Sequence, residues 1–168
     1  KTVYQTQKTA PPKIPYGFRT GSQNQSFNLK LDDLGYSNSS KPSLAASGNF
    51  VAVSLGDGAA PKYYNRSTGK YVGMMTLGSA KGDGSITSDT KGNVLLIDQT
   101  AVGGTVNIYK TSSMTTAPVP YITWTNTSGF PVGSRLSVNG DLNGKAVIIA
   151  SCQGTSLSGS KSFVRWTV

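Results

Sequence analysis

Every acidic side chain in this 168-residue sequence is an aspartate; seven are present, with no glutamate and no histidine. That inventory excludes the usual Ser-His and Cys-His nucleophile pairs and any zinc site that uses histidine. General acid–base work near neutral pH would fall on Asp, Tyr or Lys with displaced pKa values, which disfavours an enzyme confined to this chain. No catalytic, metal or cofactor residue is assigned. Asn139-Gly-Asp141-Leu-Asn143-Gly144 opens like an oxygen-rich calcium loop. Such a loop needs a bidentate carboxylate at about its twelfth position, where Ala150 stands. The turn reading, with Asp and Asn bonding the nearby backbone, is therefore preferred to calcium. Asp32 and Asp33 are neighbours, so an extended strand would point them to opposite faces rather than pair them. Gly82-Asp83-Gly84 lacks the Lys-Ser/Thr ending of a phosphate loop and opens no helix. Cys152 is the single cysteine; in the apolar run Val147–Cys152 it reads as a small buried thiol, with no internal disulfide.

The elements that must position these residues repeat. Ser43–Val53, Ser85–Ile97 and Arg135–Ile149 are versions of one pattern: a short strand-like run, a polar turn containing Gly48, Gly92 or Gly144, and a β-branched apolar run. A spacing of roughly 40–50 residues between such units, each built from several short strands, is the signature of a β-propeller blade. In the first unit Phe50–Leu55, Tyr63-Tyr64 and Tyr71–Leu77 complete the blade. In the second Val94–Ile97, Thr105–Tyr109 and Val119–Trp124 do so, and in the third Ala146–Ala150 and Ser162–Trp166 follow the opening strand. Tyr64, Tyr109 and Trp166 fall at corresponding places and are expected to fill the space between adjacent blades. The whole aromatic set, Tyr63, Tyr64, Tyr71, Tyr109, Tyr121, Trp124, Phe163 and Trp166, is weighed for stacking on sugar rings, with packing preferred for those three.

The expected fold is all-β: a β-propeller with four-stranded antiparallel blades, represented by about three and a half of them. Residues 1–12, with Pro11-Pro12, read as a linker or tail. Residues 13–35 read as half a blade, 36–78 and 79–126 as blades, and 127–168 as a blade lacking its outer strand. Propellers close with about 4–8 blades, so a segment of a longer propeller is the expectation. Lys1 in place of Met implies an upstream segment removed or not included. No apolar run approaches the ~20 residues that span a membrane.

Four sets of residues carry a family likeness: Lys62–Gly69, Gly84–Asp89, Val106–Ser113, and Leu136–Gly144 with Ala146–Ile149. Over about residues 42–168 the chain resembles secreted, lipid-anchored, propeller-like proteins of gut-dwelling Bacteroidetes-type bacteria, many with an immunoglobulin-like module ahead of the propeller. The resemblance implies an extracellular or cell-surface setting, at the outer membrane or in the periplasm, with a lipid anchor upstream. It also implies a non-catalytic binding module for a carbohydrate or other outer-surface ligand. It supplies no site residue.

If a ligand is bound, the loops at one end of the fold are the expected place. They carry Asp57, Lys81, Asp83, Asp98, Gln99, Arg135 and Gln153, whose amide, carboxylate and cationic groups suit sugar hydroxyls. The net charge of +9 comes from 12 Lys and four Arg scattered along the chain. That dispersal suits a solubilising surface better than a nucleic-acid face, which concentrates its cations. A scaffold for protein partners is the alternative function, and part of a carbohydrate-active enzyme a more distant one.

Overall fold

The computed structural model describes residues 34–37, 40–152 and 162–168. Residues 13–33 of the half blade expected at 13–35, the tail at 1–12, Asp32, Asp33 and Gln153 lie outside the described residues. Among the described residues, eleven strands form three antiparallel sheets. Sheet 1 is a meander of β1 (Ser43–Ser47), β2 (Phe50–Ser54), β3 (Lys62–Asn65) and β4 (Tyr71–Met74). Sheet 2 repeats it with β5 (Ile86–Ser88), β6 (Val94–Ile97), β7 (Thr105–Thr111) and β8 (Val119–Thr125). Sheet 3 has three strands, β9 (Val132–Gly140), β10 (Ala146–Cys152) and β11 (Ser162–Thr167), with β10 central.

The strands arise where short β-branched and aromatic runs are punctuated by turn residues. Ser47 pairs with Phe50 across a two-residue hairpin. Gly48 holds its first central position at φ +54°, a conformation that favours glycine there. β4 stops at Met74 rather than running to Leu77. The Met75 N–H donates to the Pro61 carbonyl at 2.9 Å, and the Met75 side chain turns into the core.

Sheet 2 is packed on both faces. Val94, Leu96, Ile86 and Tyr109 meet Ala45, Ala52 and Tyr63 of sheet 1. Leu95, Ile97, Val106 and Ile108 meet Leu136, Ile148, Ala150 and Cys152 of sheet 3. Side chains alternate faces along a strand, so the uninterrupted run Val94-Leu-Leu-Ile97 serves both layers, and all four residues are buried. Cys152 is a buried free thiol, as its apolar strand suggests. Tyr109 and Trp166 fill the two gaps between sheets. Trp166 meets Trp124 edge-on at 6.0 Å. Tyr64 is buried too, on the outer face of sheet 1 against Val53 and Leu34.

Hydrogen bonds repeat the relation between sheets. The Ile86 N–H donates to Ser43 Oγ at 2.9 Å, and the Leu136 N–H donates to Ser85 Oγ at 3.2 Å. Ser43 begins β1 and Ser85 immediately precedes β5, and each accepts from the opening strand of the next sheet. The Ala46 N–H also donates to Ser88 Oγ at 2.9 Å. Contacts advancing together along β1 and β5 mean that the two run in the same direction. In sheet 3 the corresponding residue is Arg135, and the serine series ends.

The sheets approach closely at Gly84. A Cβ placed there would lie 1.9 Å from the Ile97 carbonyl oxygen and 3.1 Å from that of Gly133. Backbone oxygens in paired strands have little room to withdraw. Gly84→Ala is expected to destabilise at or above the upper end of the ~1–3 kcal/mol usual for overpacking, read as a fall in urea midpoint. Gly144→Ala, where the nearest atoms lie at 3.9 Å, is the matched variant expected to leave the midpoint nearly unchanged.

Candidate functional site

Four of the loop residues picked for ligand chemistry meet at one end of the stack. Lys81 and Asp83 lie on the β4–β5 connection, and Asp98 and Gln99 follow β6. The Lys81 N–H donates to Asp98 Oδ1 at 2.8 Å, and the Gln99 N–H donates to Asp83 Oδ1 at 2.8 Å. The Gln99 side-chain amide donates to the Asp83 carbonyl. Lys41, just before β1, joins them by donating Nζ to Gln99 Oε1 at 2.8 Å. Segments from both sheets are thereby braced into one rim.

Asp98 is the buried anchor of this rim, 2% exposed. Tyr109 Oη lies 3.2 Å from Asp98 Oδ2 and 3.1 Å from the Ser79 carbonyl, so one hydroxyl proton faces two acceptors. Burial pushes the Asp98 carboxyl above its ordinary value, with Asp83 adding to the effect, against the lowering influence of the Lys81 N–H and Tyr109. Protonation completes the relay: Asp98 donates to Tyr109, and Tyr109 donates to Ser79. Burial and the Asp98 charge raise the Tyr109 phenol in turn.

Asp57 stands beside this rim. The Gly58 N–H donates to the Gly82 carbonyl at 3.2 Å, joining the Asp57 turn to the Lys81–Asp83 segment. Asp57 Oδ1 accepts from the Ala59 N–H at 3.0 Å. Asp57 also lines a cavity of about 210 Å³ with Leu34, Val53, Leu55 and Lys62. Arg135 does not belong to the rim. It was expected in an inter-blade loop but lies inside β9, because that strand extends over nine residues from Val132. Its side chain is exposed on the outer face of sheet 3, with Nη1 donating to the Ser134 carbonyl at 2.9 Å.

The opposite end holds a carboxylate that the sequence picks miss. Asp89 Oδ1 accepts from the Lys91 and Asn93 N–H groups, each at 2.8 Å. Its Oδ2 accepts from Asn93 Nδ2 at 2.7 Å and from the Leu142 N–H at 2.9 Å. Burial would raise this carboxyl, but the four bonds outweigh it and hold it below the ordinary value. The turn Asp89-Thr-Lys-Gly-Asn93 is legible as an Asp-initiated turn; the bond to Leu142 of the next sheet is not. Leu142 belongs to the calcium-like segment, whose Asp141 Oδ1 accepts from the Asn143 N–H at 2.8 Å. No cluster of potential metal ligands occurs among the described residues. Lys110 donates Nζ to Asn143 Oδ1 at 2.6 Å and to the Leu142 carbonyl at 3.0 Å, so this turn is tied into the fold.

Of the aromatics weighed for sugar stacking, Tyr63, Tyr64 and Tyr109 are buried, whereas Tyr71 and Phe163 are 56% and 65% exposed on the outer faces of sheets 1 and 3. The loop rim is therefore made of amides, carboxylates and ammonium groups.

A family model described as a domain of unknown function (DUF8500) matches residues 25–168. The chain belongs to this family. The match spans all three sheets, both Asp-centred braces and the loop rim. No curated protein and no solved structure matches the chain.

Replacing each buried aspartate by asparagine is expected to give opposite results. Asn at 98 still accepts from the Lys81 N–H and donates to Tyr109, reproducing the neutral relay. Asn at 89 turns an amide donor toward Asn93 Nδ2 and the Leu142 N–H, leaving donors facing donors. Asp89→Asn should lose about 2 kcal/mol or more, whereas Asp98→Asn should be near neutral. The pH dependence has opposite signs as well. The raised Asp98 carboxyl costs stability as pH rises from about 4 through its folded value, so Asp98→Asn gains on the native protein over that rise. The lowered Asp89 carboxyl contributes stability above about pH 4 that is lost as pH falls through its folded value. Urea unfolding of the three proteins between pH 3 and 8 checks both signs.

Proposed function

We propose that the three sheets are consecutive blades of a β-propeller, and that the chain is a non-catalytic binding module of the bacterial cell surface for a carbohydrate or other outer-surface ligand. The blade reading is supported by three successive meanders stacked face to face, with β1 and β5 running in the same direction and serines linking each opening strand to the next. The observation that carries the binding reading is the convergence of Lys41, Lys81, Asp83 and Gln99 from three chain segments into one braced rim beside exposed Asp57. Polar groups held in place by their neighbours suit recognition of hydroxyls, since little ordering remains to oppose binding. The buried Asp98 and Asp89 carboxylates support a non-catalytic role, because both are occupied by bonds that hold loops together.

Binding to an array of neutral and acidic polysaccharides, followed by calorimetry, tests the reading. A ligand should be found, and Lys81→Ala with Asp57→Ala should weaken it about tenfold or more. Absence of binding to every polysaccharide class contradicts it.

A structural scaffold for protein partners is the second reading. It is favoured by burial of Tyr63, Tyr64 and Tyr109 and by apolar side chains exposed on the outer face of sheet 1, where Leu44 is 62% and Met74 59% exposed. Capture of a reproducible protein partner by a module that binds no glycan would favour it.

A further inference from the structure

Asp98 and Ser79 place two acceptors around one hydroxyl proton. Tyr109 Oη lies 3.2 Å from Asp98 Oδ2 and 3.1 Å from the Ser79 carbonyl oxygen, and a phenol has a single proton to donate. While Asp98 is ionised, that proton goes to the carboxylate, because a bond to a charged acceptor is roughly twice as strong as one to a neutral carbonyl. The Ser79 carbonyl then receives nothing from Tyr109. With a proton on Oδ2, Asp98 becomes the donor and the Tyr109 proton passes to Ser79. Asp98 Oδ1 can accept the Lys81 N–H, at 2.8 Å, in either state.

The surroundings decide where this change is felt. Within sheet 2 the Asp98 N–H donates to the Asn107 carbonyl of β7 at 3.2 Å. Toward sheet 3 the backbone is tight, since a Cβ at Gly133 would lie 2.6 Å from the Asp98 carbonyl oxygen. On the third side is the β4–β5 connection, where Gly78 and Ser79 are exposed and Ala80 is buried. The Ala80 N–H donates to the Leu77 carbonyl at 2.9 Å. The charged groups acting on Asp98 are Lys81 and Asp83 of this connection. Tyr109 faces it from β7, Tyr63 of β3 packs in the same layer as Tyr109 and Ala80, and Gly133 of β9 brings no titratable group. Lys41 reaches this end through Gln99. Water reaches an ionised Asp98 with least disturbance through the exposed Gly78–Ser79 stretch.

We propose that Asp98, Tyr109 and Ser79 form a proton-operated latch on the β4–β5 connection. Protonated, the latch ties the connection to sheet 2 at both Ser79 and Lys81. Ionised, it frees Ser79 and lets the connection loosen around the Lys81 bond. Burial raises the Asp98 carboxyl above its ordinary value, so the latch is closed below the folded value and opens as pH rises through it. The latch itself needs no ligand. Its consequence for binding rests on the rim being the binding end: the connection it holds carries Lys81 and Asp83, so the rim is firmest, and binding strongest, at acidic pH.

NMR of the whole chain tests the latch, with the Asp98 carboxyl followed by its carbon-13 shift and amide protection measured from about pH 3 to 8. The Asp98 shift should move with a midpoint above about pH 4, and Ala80 protection should fall about fivefold or more across it. Lys91, whose N–H is held by Asp89 at the opposite end, should show no such fall. Asp98→Asn, which donates to Tyr109 at every pH, should keep Ala80 protected throughout. Tyr109→Phe, which retains the ring, should leave Ala80 poorly protected with no pH dependence. An Asp98 shift that does not move overturns the proposal, as does a fall that persists in Asp98→Asn. An equal fall at Lys91 overturns it in favour of a general loss of stability. No ligand enters these readouts, so failure of the latch is distinct from failure to find a polysaccharide. With a neutral polysaccharide that binds, native affinity should drop across the Asp98 midpoint and that of Asp98→Asn should not; a drop shared by both contradicts the link from latch to rim.

Discussion

Burial of both faces of sheet 2 is the constraint on which the rest of the structure depends. Val94–Ile97 has no solvent side: two side chains belong to the layer shared with sheet 1 and two to the layer shared with sheet 3. At about 1.5–3 kcal/mol for each fully buried aliphatic side chain, this short strand contributes heavily to both interfaces. Its backbone is held as closely, since the Ile97 carbonyl lies where a Cβ at Gly84 would be. Neither neighbouring sheet has this property. Sheet 1 leaves Leu44 and Met74 open to solvent, and sheet 3 leaves Ile149 and Phe163 open.

The polar residues complete what the apolar layers begin. Strand ends leave backbone donors that must find partners, and two aspartates answer that need at opposite ends of sheet 2. Asp98 takes the Lys81 N–H and fixes the connection from sheet 1. Asp89 takes the Leu142 N–H and fixes the turn of sheet 3. Their environments differ in one respect that sets their chemistry: Asp89 faces four N–H donors, whereas Asp98 shares a tyrosine hydroxyl with a carbonyl. The first remains ionised to lower pH, and the second takes up its proton at higher pH than an ordinary aspartate. Rigidity of the loop rim follows from the Asp98 brace and the Asp83–Gln99 bonds, so the proposed binding end is prepared by bonds that also join sheets 1 and 2.

Much of this architecture is written locally in the chain. The runs Phe50–Ser54, Val94–Ile97 and Ala146–Cys152, each preceded by a polar turn, mark the second strand of every sheet. The aromatic near the third strand marks the packing layer. Register is less legible. Tyr64 and Trp166 lie opposite Val51 and Ile148, whereas Tyr109 lies opposite Leu96, one same-face step away. Arg135 looked like a loop residue because nothing nearby signals that β9 begins at Val132; the Thr100–Val132 bridge that starts it joins residues distant in sequence. The same reason hid the reach of Asp89 to Leu142. Rim membership of Lys81, Asp83, Asp98 and Gln99 was legible because the repeated strand-and-turn pattern implies which loops share an end, but Lys41 entered only through its bond to Gln99.

Native-state hydrogen exchange tests the primacy of the middle sheet most directly. Amides of Leu95, Leu96, Ile97 and Ile108 should exchange only with global unfolding, with protection free energies equal to the unfolding free energy from urea. The amides of β4 should exchange through smaller openings. If sheet 2 exchanged as readily as β4, or if sheet 1 or sheet 3 stayed protected after sheet 2 had opened, the sandwiched sheet would not be what holds the fold together.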